Sequence, residues 1–515
     1  MSIRWLIRWG CCYVVLMMAA MASADTITVR QGYHTTGRNS DKALLLRIDL
    51  PAGMQASKLC FHLKGDTPKN ITRLQVWKSD ADEFFADASS VLVAETSPGK
   101  DVELLLAEHQ AHRLWLTAQV SGKVKLGATI DAALTAVCDA NGIVLPVMEA
   151  VGDPEGEVCV FDTQSLAFVP TTDNCRFYRI PAMVVDREGN LLAAADRRYE
   201  SNGDLGNHRI DVAIRKSHDG GRSWSPQQVI ARGDGQRDAS FGYGDPALAV
   251  TQSGRIICLM VAGRKGYFQG MTNMGVTVSD DNGVTWTAVR DLTANAFRDA
   301  AHGLTDSLGF WSIFATSGKG LTTADGTVLF TANTLQQAGT CSSDCYILSS
   351  VDEGQSWQLG PTRAFNDGDE SKLVQQNDGS LLLSVRRRGA RGFNTGSADA
   401  ATWGDQWNND DLTSGNACNE DILRYDKRIL LHTYLKHPSS RANLTLAMST
   451  DDGRTWRDMM NIQPGGAAYS TMVKMPNGDV GVLFEDESYT AGNGYALTFV
   501  TVTKRQIRSA YKKKR

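Results

Sequence analysis

The chain has 515 residues, 48 of them glycine, 13 proline and 11 tryptophan, with 42% hydrophobic residues, 21% charged residues and a net charge of −4. This composition excludes a disordered chain, a collagen and a coiled coil, and it lacks the basic excess of most nucleic-acid binders. At this length two or more domains, or one large repeat fold, are expected.

Residues 1–24 have the pattern of a secretory signal peptide. Arg4 and Arg8 precede an uncharged apolar run over 11–21, and Ala22, Ser23 and Ala24 supply small residues before a cleavage point. The run is short for a membrane span. Export to the periplasm, the cell surface or the medium is therefore expected, with no integral membrane segment in the mature chain. Eight cysteines follow the leader, and Cys341 and Cys345 are spaced to close a short loop in an oxidising compartment.

Glycine is unevenly placed, with nine in residues 1–150 and 39 in residues 151–515. The glycine-poor part reads as short alternating strands over 26–30, 43–50, 59–64, 71–77, 114–120 and 129–137, a pattern that suits a β-sandwich. Pro146 and the turn Gly152-Asp153-Pro154 mark a boundary, giving an N-terminal domain over 25–150. Glycan binding by that domain is an association at the level of fold alone. Trp77 and Trp115 read as core residues before they read as sugar platforms.

The glycine-rich part repeats an octet, Ser-x-Asp-x-Gly-x-Ser/Thr-Trp, beginning at Ser217, Ser279, Ser350 and Ser449 and ending at Trp224, Trp286, Trp357 and Trp456. Each follows an alternating strand. Ser and Asp side chains bond nearby amides and close a tight turn, Gly supplies a positive φ, and Trp packs beneath its neighbour. The octet aspartates are structural on this reading. The third and fourth lie 99 residues apart, which fits one sheet with a large insertion or two compact sheets. An all-β fold follows, with a six-bladed β-propeller over 151–515.

Four such octets, known as Asp boxes, together with Phe177-Tyr178-Arg179-Ile180-Pro181 ahead of the first, resemble the bacterial exo-α-sialidases (neuraminidases), in the subgroup where a β-sandwich precedes the propeller. The resemblance implies that Arg179, Arg386 and Arg441 clamp the carboxylate of sialic acid through paired hydrogen bonds. Arg387 and Arg388 adjoin Arg386, so strand register decides among the three. The resemblance also implies Asp204 as general acid and base, with Glu200 as the nearest competitor, and Arg198 at the sugar's C4 hydroxyl. Asp245 would bond the sugar near its N-acyl and C4 groups, and Tyr267 or Phe268 would line the acetyl pocket. The loop 310–320 is assigned no substrate role.

Tyr469 resembles the family's nucleophile and Glu370 its partner. A neutral phenol avoids the repulsion that a carboxylate nucleophile meets at an anomeric carbon already bearing a carboxylate. Ordinary tyrosine, with a pKa near 10, then needs a base at hand. Sialidases are a tyrosine exception to the two-carboxylate scheme of glycosidases. The implied activity is hydrolysis of terminal α-linked sialic acids from glycoproteins, glycolipids or oligosaccharides, with retention and without metal or cofactor. The alternatives are a catalytically silent glycan-binding propeller and a trans-sialidase that passes the sugar to an acceptor.

Overall fold

A computed structural model describes residues 26–79, 90–106, 112–148, 156–205, 208–233, 242–263, 273–292, 312–335, 343–490 and 494–513. The leader, the turn at 152–154, Cys341, Tyr267 and Phe268 lie outside them. The fold is all-β, with one capped helix, Lys504–Lys512, near the C-terminus. No helix among the described residues is long and apolar enough to cross a membrane.

The chain divides into two compact units at Phe161/Asp162. In the first, the strand Val158–Phe161 pairs in parallel with His34–Gly37. The unit therefore runs past residue 150, where the sequence reading set its boundary. It contains one six-stranded and two three-stranded sheets. Side chains alternate as the sequence suggests: Lys58–Leu63 alternates half-buried with buried positions, and Asp101–Leu105 exposed with buried. Their inward faces meet in one cluster that includes Ile48, Leu59, Phe61, Leu74, Leu104 and Leu116. Trp115 is buried, while Trp77 is half-buried beneath the Lys42 ammonium.

The second unit is built of sheets in chain order, antiparallel except where Gly318–Lys319 pairs in parallel with Gly242–Val250. One contains Phe177–Val185, Leu191–Arg198, Ile210–Ser217 and Gln228–Ala231. The next contains Gly242–Val250, Ile256–Gly263 and Asn273–Ser279, and the third contains Ser312–Ala315, Val328–Leu335 and Asp344–Ser350. The fourth runs from Ser371–Gln375 to Trp407–Ser414. A seven-stranded sheet follows, because the long strand Arg457–Lys474 pairs with Ala442–Ser449 by its first half and with Val480–Asp486 by its second. The first strand of the unit, Gln164–Phe168, pairs with the last, Ala496–Val502.

The second strand of each sheet is buried on both faces: Ile256–Gly263, Val328–Leu335, Ile429–Leu435 and Val480–Asp486 are buried at every position. A strand covered on both sides needs a continuous apolar run, not an alternating one. The cover is the neighbouring sheet. Leu192 and Ala194 of one sheet share a cluster with Ile256, Cys258 and Met260 of the next, and Phe168, Leu483 and Phe499 of the last sheet share one with Tyr178 and Leu191 of the first. This face-to-face succession is consistent with a β-propeller.

The four octets join the third strand of a sheet to the strand that follows it. In each, the Ser hydroxyl donates to the Asp and accepts from the Gly amide, as in Ser350 Oγ to Asp352 Oδ1 (2.8 Å) and Gly354 N to Ser350 Oγ (2.8 Å). The Asp then accepts from the following Ser or Thr. Gly354 has φ 84°, and a Cβ there would stand 2.7 Å from Ile257 Cδ1 of the preceding sheet. Only glycine provides both the left-handed turn and the close approach.

A fifth turn of this kind lies between the third and fourth octets. Ser397 Oγ donates to Asp399, Ala400 takes φ 58°, and Trp403 Nε1 donates to Ala400 O at 3.1 Å, as Trp357 does to Gly354 O at 3.2 Å. The 99-residue interval therefore contains two sheets. The fifth turn escaped the sequence pattern because it is one residue shorter and carries Ala where the octet has Gly.

Seven cysteines among the described residues, Cys345 included, are free thiols. Cys345 is buried and donates to Asp369 O at 3.2 Å.

Candidate active site

The first strand of two successive sheets is broken by the same device. The ladder shifts between Arg179 and Ala182 in one, and between Gly244 and Ala247 in the next. The residue before each proline is left-handed, Ile180 with φ 58° and Asp245 with φ 53°. A β-branched residue rarely takes this conformation, and it persists only where its surroundings hold it. Here a buried carboxylate from the second strand of the neighbouring sheet accepts the strained amide. Ile180 N donates to Glu485 Oε1 (2.8 Å), and Asp245 N donates to Asp196 Oδ1 (2.8 Å).

Glu485 is fully buried and takes two further bonds from Arg179, Nε at 2.6 Å and Nη2 at 3.2 Å, and one from Tyr469 N at 3.1 Å. A single carboxylate thus orients an arginine and the backbone of the tyrosine. Glu485 was not legible as a site residue. The repeated x-Pro-Ala of Ile180-Pro181-Ala182 and Asp245-Pro246-Ala247, read with an acidic residue on a buried second strand, is the signal that would have found it.

Three arginines meet at Tyr469. The guanidiniums of Arg179 and Arg441 each lie 5.5 Å from the centre of its ring, and Arg386 Nη1 donates to its hydroxyl at 3.1 Å. The same nitrogen bonds Glu370 Oε2 at 2.5 Å. Arg386 therefore sits between the tyrosine hydroxyl and the glutamate that the sequence reading paired with it. Arg387 instead bonds Asn408 (2.9 Å) and Asp367 (3.2 Å). Tyr495, not anticipated, stacks on the Arg179 guanidinium at 5.0 Å.

Charge sets the protonation of this cluster. Burial, and then the Glu370 carboxylate, push the Tyr469 phenol well above the ordinary tyrosine range, although all three guanidiniums oppose them. Tyr469 is therefore a neutral phenol at physiological pH. Glu370, which the sequence reading pairs with it, is 4% exposed, with Ser317 Oγ 3.4 Å from its Oε1. Ser317 belongs to the loop that was assigned no substrate role.

Opposite lies a second group built on Arg198, which is 1% exposed. It holds Asp196 Oδ2 at 2.7 Å, Asn202 O at 2.7 Å and Asp204 Oδ1 at 2.9 Å. Asp204 is itself 80% exposed. Desolvation alone would raise its pKa, but Arg198 and then Arg179 and Arg441 outweigh it and hold the carboxyl below the usual range. Asp245 goes the other way: burial, then the charges of Asp196 and Asp204, raise it well above an ordinary carboxyl. Glu200 faces His208 at 3.6 Å instead of the arginines.

The site therefore gathers Arg179, Arg198, Asp204, Asp245, Glu370, Arg386, Arg441 and Tyr469 in the second unit. The cluster sets three guanidiniums around a buried phenol and holds two carboxyls driven apart in pKa. Comparison with known proteins gives the family. The pattern of the BNR repeat-like domain family matches residues 191–482, more than half of the chain, and the chain belongs to that family. A sialidase from Micromonospora viridifaciens is 30% identical over 368 residues, covering 64% of this chain and 53% of the relative. A sialidase from Bacteroides fragilis is 24% identical over 342 residues, covering 61% of this chain and 60% of the relative. The chain thus spans somewhat over half the length of these curated relatives. A solved structure of a Hadza microbial sialidase aligns with a TM-score of 0.67 at 21% identity, over 93% of this chain and 99% of that one. The resemblance to bacterial sialidases is borne out at the level of family.

Proposed function

We propose that the protein is an exo-α-sialidase that removes terminal α-linked sialic acids from glycoconjugates and retains the anomeric configuration. The observation that carries this reading is the convergence of Arg179, Arg386 and Arg441 on Tyr469. The three guanidiniums hold the substrate carboxylate and so place the anomeric carbon over the phenol oxygen. Glu370 takes the phenol proton as that oxygen attacks, and Asp204 protonates the departing glycosidic oxygen. A sialyl-tyrosine forms. Water, activated by Asp204, which takes its proton, then attacks the anomeric carbon and breaks its bond to the tyrosine oxygen, and Glu370 returns the proton to Tyr469. Arg198 bonds the sugar's C4 hydroxyl, and Asp245, whose burial favours the protonated form, bonds the sugar near its N-acyl and C4 groups.

In this reading the second unit is a six-bladed propeller. The seven-stranded sheet counts as two blades sharing the strand Arg457–Lys474, and the pairing of Gln164–Phe168 with Ala496–Val502 closes the ring. The first unit is a β-sandwich, and the protein is exported by its leader.

A fluorogenic α-sialoside tests the activity directly. The wild type should release the fluorophore, and a wild type that leaves every α-sialoside intact would overturn the reading. Adding lactose and analysing the products separates hydrolysis from transfer: free sialic acid is expected, and sialyl-lactose as the main product would make the protein a transferase.

A further inference from the structure

Lys372 stands two residues beyond Glu370 and is 1% exposed. Its ammonium donates to two neutral oxygens, Asn419 Oδ1 at 2.5 Å and Ser371 O at 3.3 Å. Burial lowers its pKa to about 8, opposed by the charges of Asp421 and Glu370 and reinforced by those of Arg391 and Lys319. Gly318, with φ 104°, makes way for it: a Cβ there would stand 2.8 Å from Lys372 Cε. An ammonium without a hydrogen-bonded carboxylate is a costly thing to bury, and an apolar side chain of the same shape would fill the space with less penalty. Stability alone does not account for a lysine here.

Its donors do. An ammonium has no acceptor, so Asn419 must turn Oδ1 toward it and Nδ2 away. Nδ2 then donates to Ser317 Oγ at 2.6 Å and to Ser317 O at 3.0 Å. Ser317 Oγ, already accepting, keeps its own proton to give, and among the described residues the acceptor in reach is Glu370 Oε1 at 3.4 Å. Every bond in this buried chain points from Lys372 toward Glu370. A second branch leaves Asn419 through its carbonyl, which accepts from Ser470 N at 3.1 Å, one residue past Tyr469.

We propose that Lys372 is a positioning residue for the Glu370–Tyr469 pair: it fixes the donor direction of the Asn419–Ser317 chain and so keeps Glu370 Oε1 an acceptor, the form that takes the phenol proton. With Arg386 donating to Oε2, both oxygens of Glu370 face donors and the carboxylate waits as a base. The proposal rests on the sialidase reading above.

The test uses the full-length protein and a fluorogenic α-sialoside. Lys372→Met keeps the stem and removes the donors. Asn419→Asp still accepts from Lys372, but the oxygen that replaces Nδ2 draws the Ser317 proton away from Glu370. A purely structural lysine would tolerate Asn419→Asp, which gives it an ion pair. Each variant should lower kcat by roughly 10- to 100-fold with KM within about threefold of wild type, because the carboxylate-binding arginines are untouched. Asn419→Asp should keep the wild-type melting temperature, so it decides the matter even if Lys372→Met does not fold. A folded Asn419→Asp variant with wild-type kcat overturns the positioning role while leaving the sialidase reading intact. A wild type that cleaves no α-sialoside overturns both.

Discussion

At the scale of residues, Tyr469 is held by its surroundings in the state least suited to attack and is given the means to leave it. Burial and Glu370 keep the phenol protonated, and in the proposed mechanism that same carboxylate takes the proton. Removing the hydroxyl in Tyr469→Phe leaves the arginines in place. The expected result is a fall in kcat of roughly 10³-fold or more with a small change in KM, measured by steady-state kinetics on an aryl sialoside. Asp204 supports a pH prediction. Its carboxyl is held below the usual range by Arg198, Arg179 and Arg441, yet the proposed acid role needs the protonated form, so activity should fall as pH rises. A bound substrate carboxylate neutralises Arg179 and Arg441 and weakens their hold on Asp204. The alkaline limb of kcat should therefore lie at higher pH than that of kcat/KM, and coincident limbs would contradict this role. Arg179 and Tyr469 were singled out in the sequence because each stands in a short motif, and Arg386 because of its interval after Glu370. Glu485, Asp196 and Tyr495 were not, because their partners are distant in sequence and only the stacking of sheets brings them together.

At the scale of elements, the octet turn was legible almost completely, since Ser, Asp and Gly act on backbone within a few residues. Its stability has two separate sources that can be tested apart. Gly354→Ala forces a Cβ into a left-handed position 2.7 Å from Ile257 and should cost about 1–3 kcal/mol, read as a lower denaturant midpoint. Asp281 tests the hydrogen bonds. Bonds from Thr285 and Ser279 bring its pKa down to about 2, below the unfolded value near 3.9. A lowered carboxyl contributes stability above the unfolded pKa and loses it as pH falls through the folded one. Acid unfolding of Asp281→Asn should thus lose that component between about pH 4 and pH 2, and an unchanged acid limb would count against it. The fifth turn, at Ser397, shows why pattern reading stopped short: the backbone geometry survives a deletion and a Gly-to-Ala change that the motif does not.

At the scale of the whole molecule, the glycine excess after residue 150 announced a repeated sheet, but not where the repeat begins. That depends on the strand Val158–Phe161 joining the first unit and on Gln164–Phe168 pairing with the last strand of the second, both pairings between segments far apart in sequence. Every residue of the proposed site lies in 162–515. Expressed alone, that span should cleave a small fluorogenic sialoside with kcat within about threefold of the full chain, and a large loss would assign the first unit a part in the chemistry. The central claim is that Tyr469 becomes covalently bonded to the sugar. The protein should be incubated with 2,3-difluorosialic acid, digested and mapped by mass spectrometry. The account predicts a sialyl adduct on the peptide bearing Tyr469, absent from Tyr469→Phe. An adduct on another residue, or none from a protein that hydrolyses α-sialosides and is inactivated by the reagent, would contradict it.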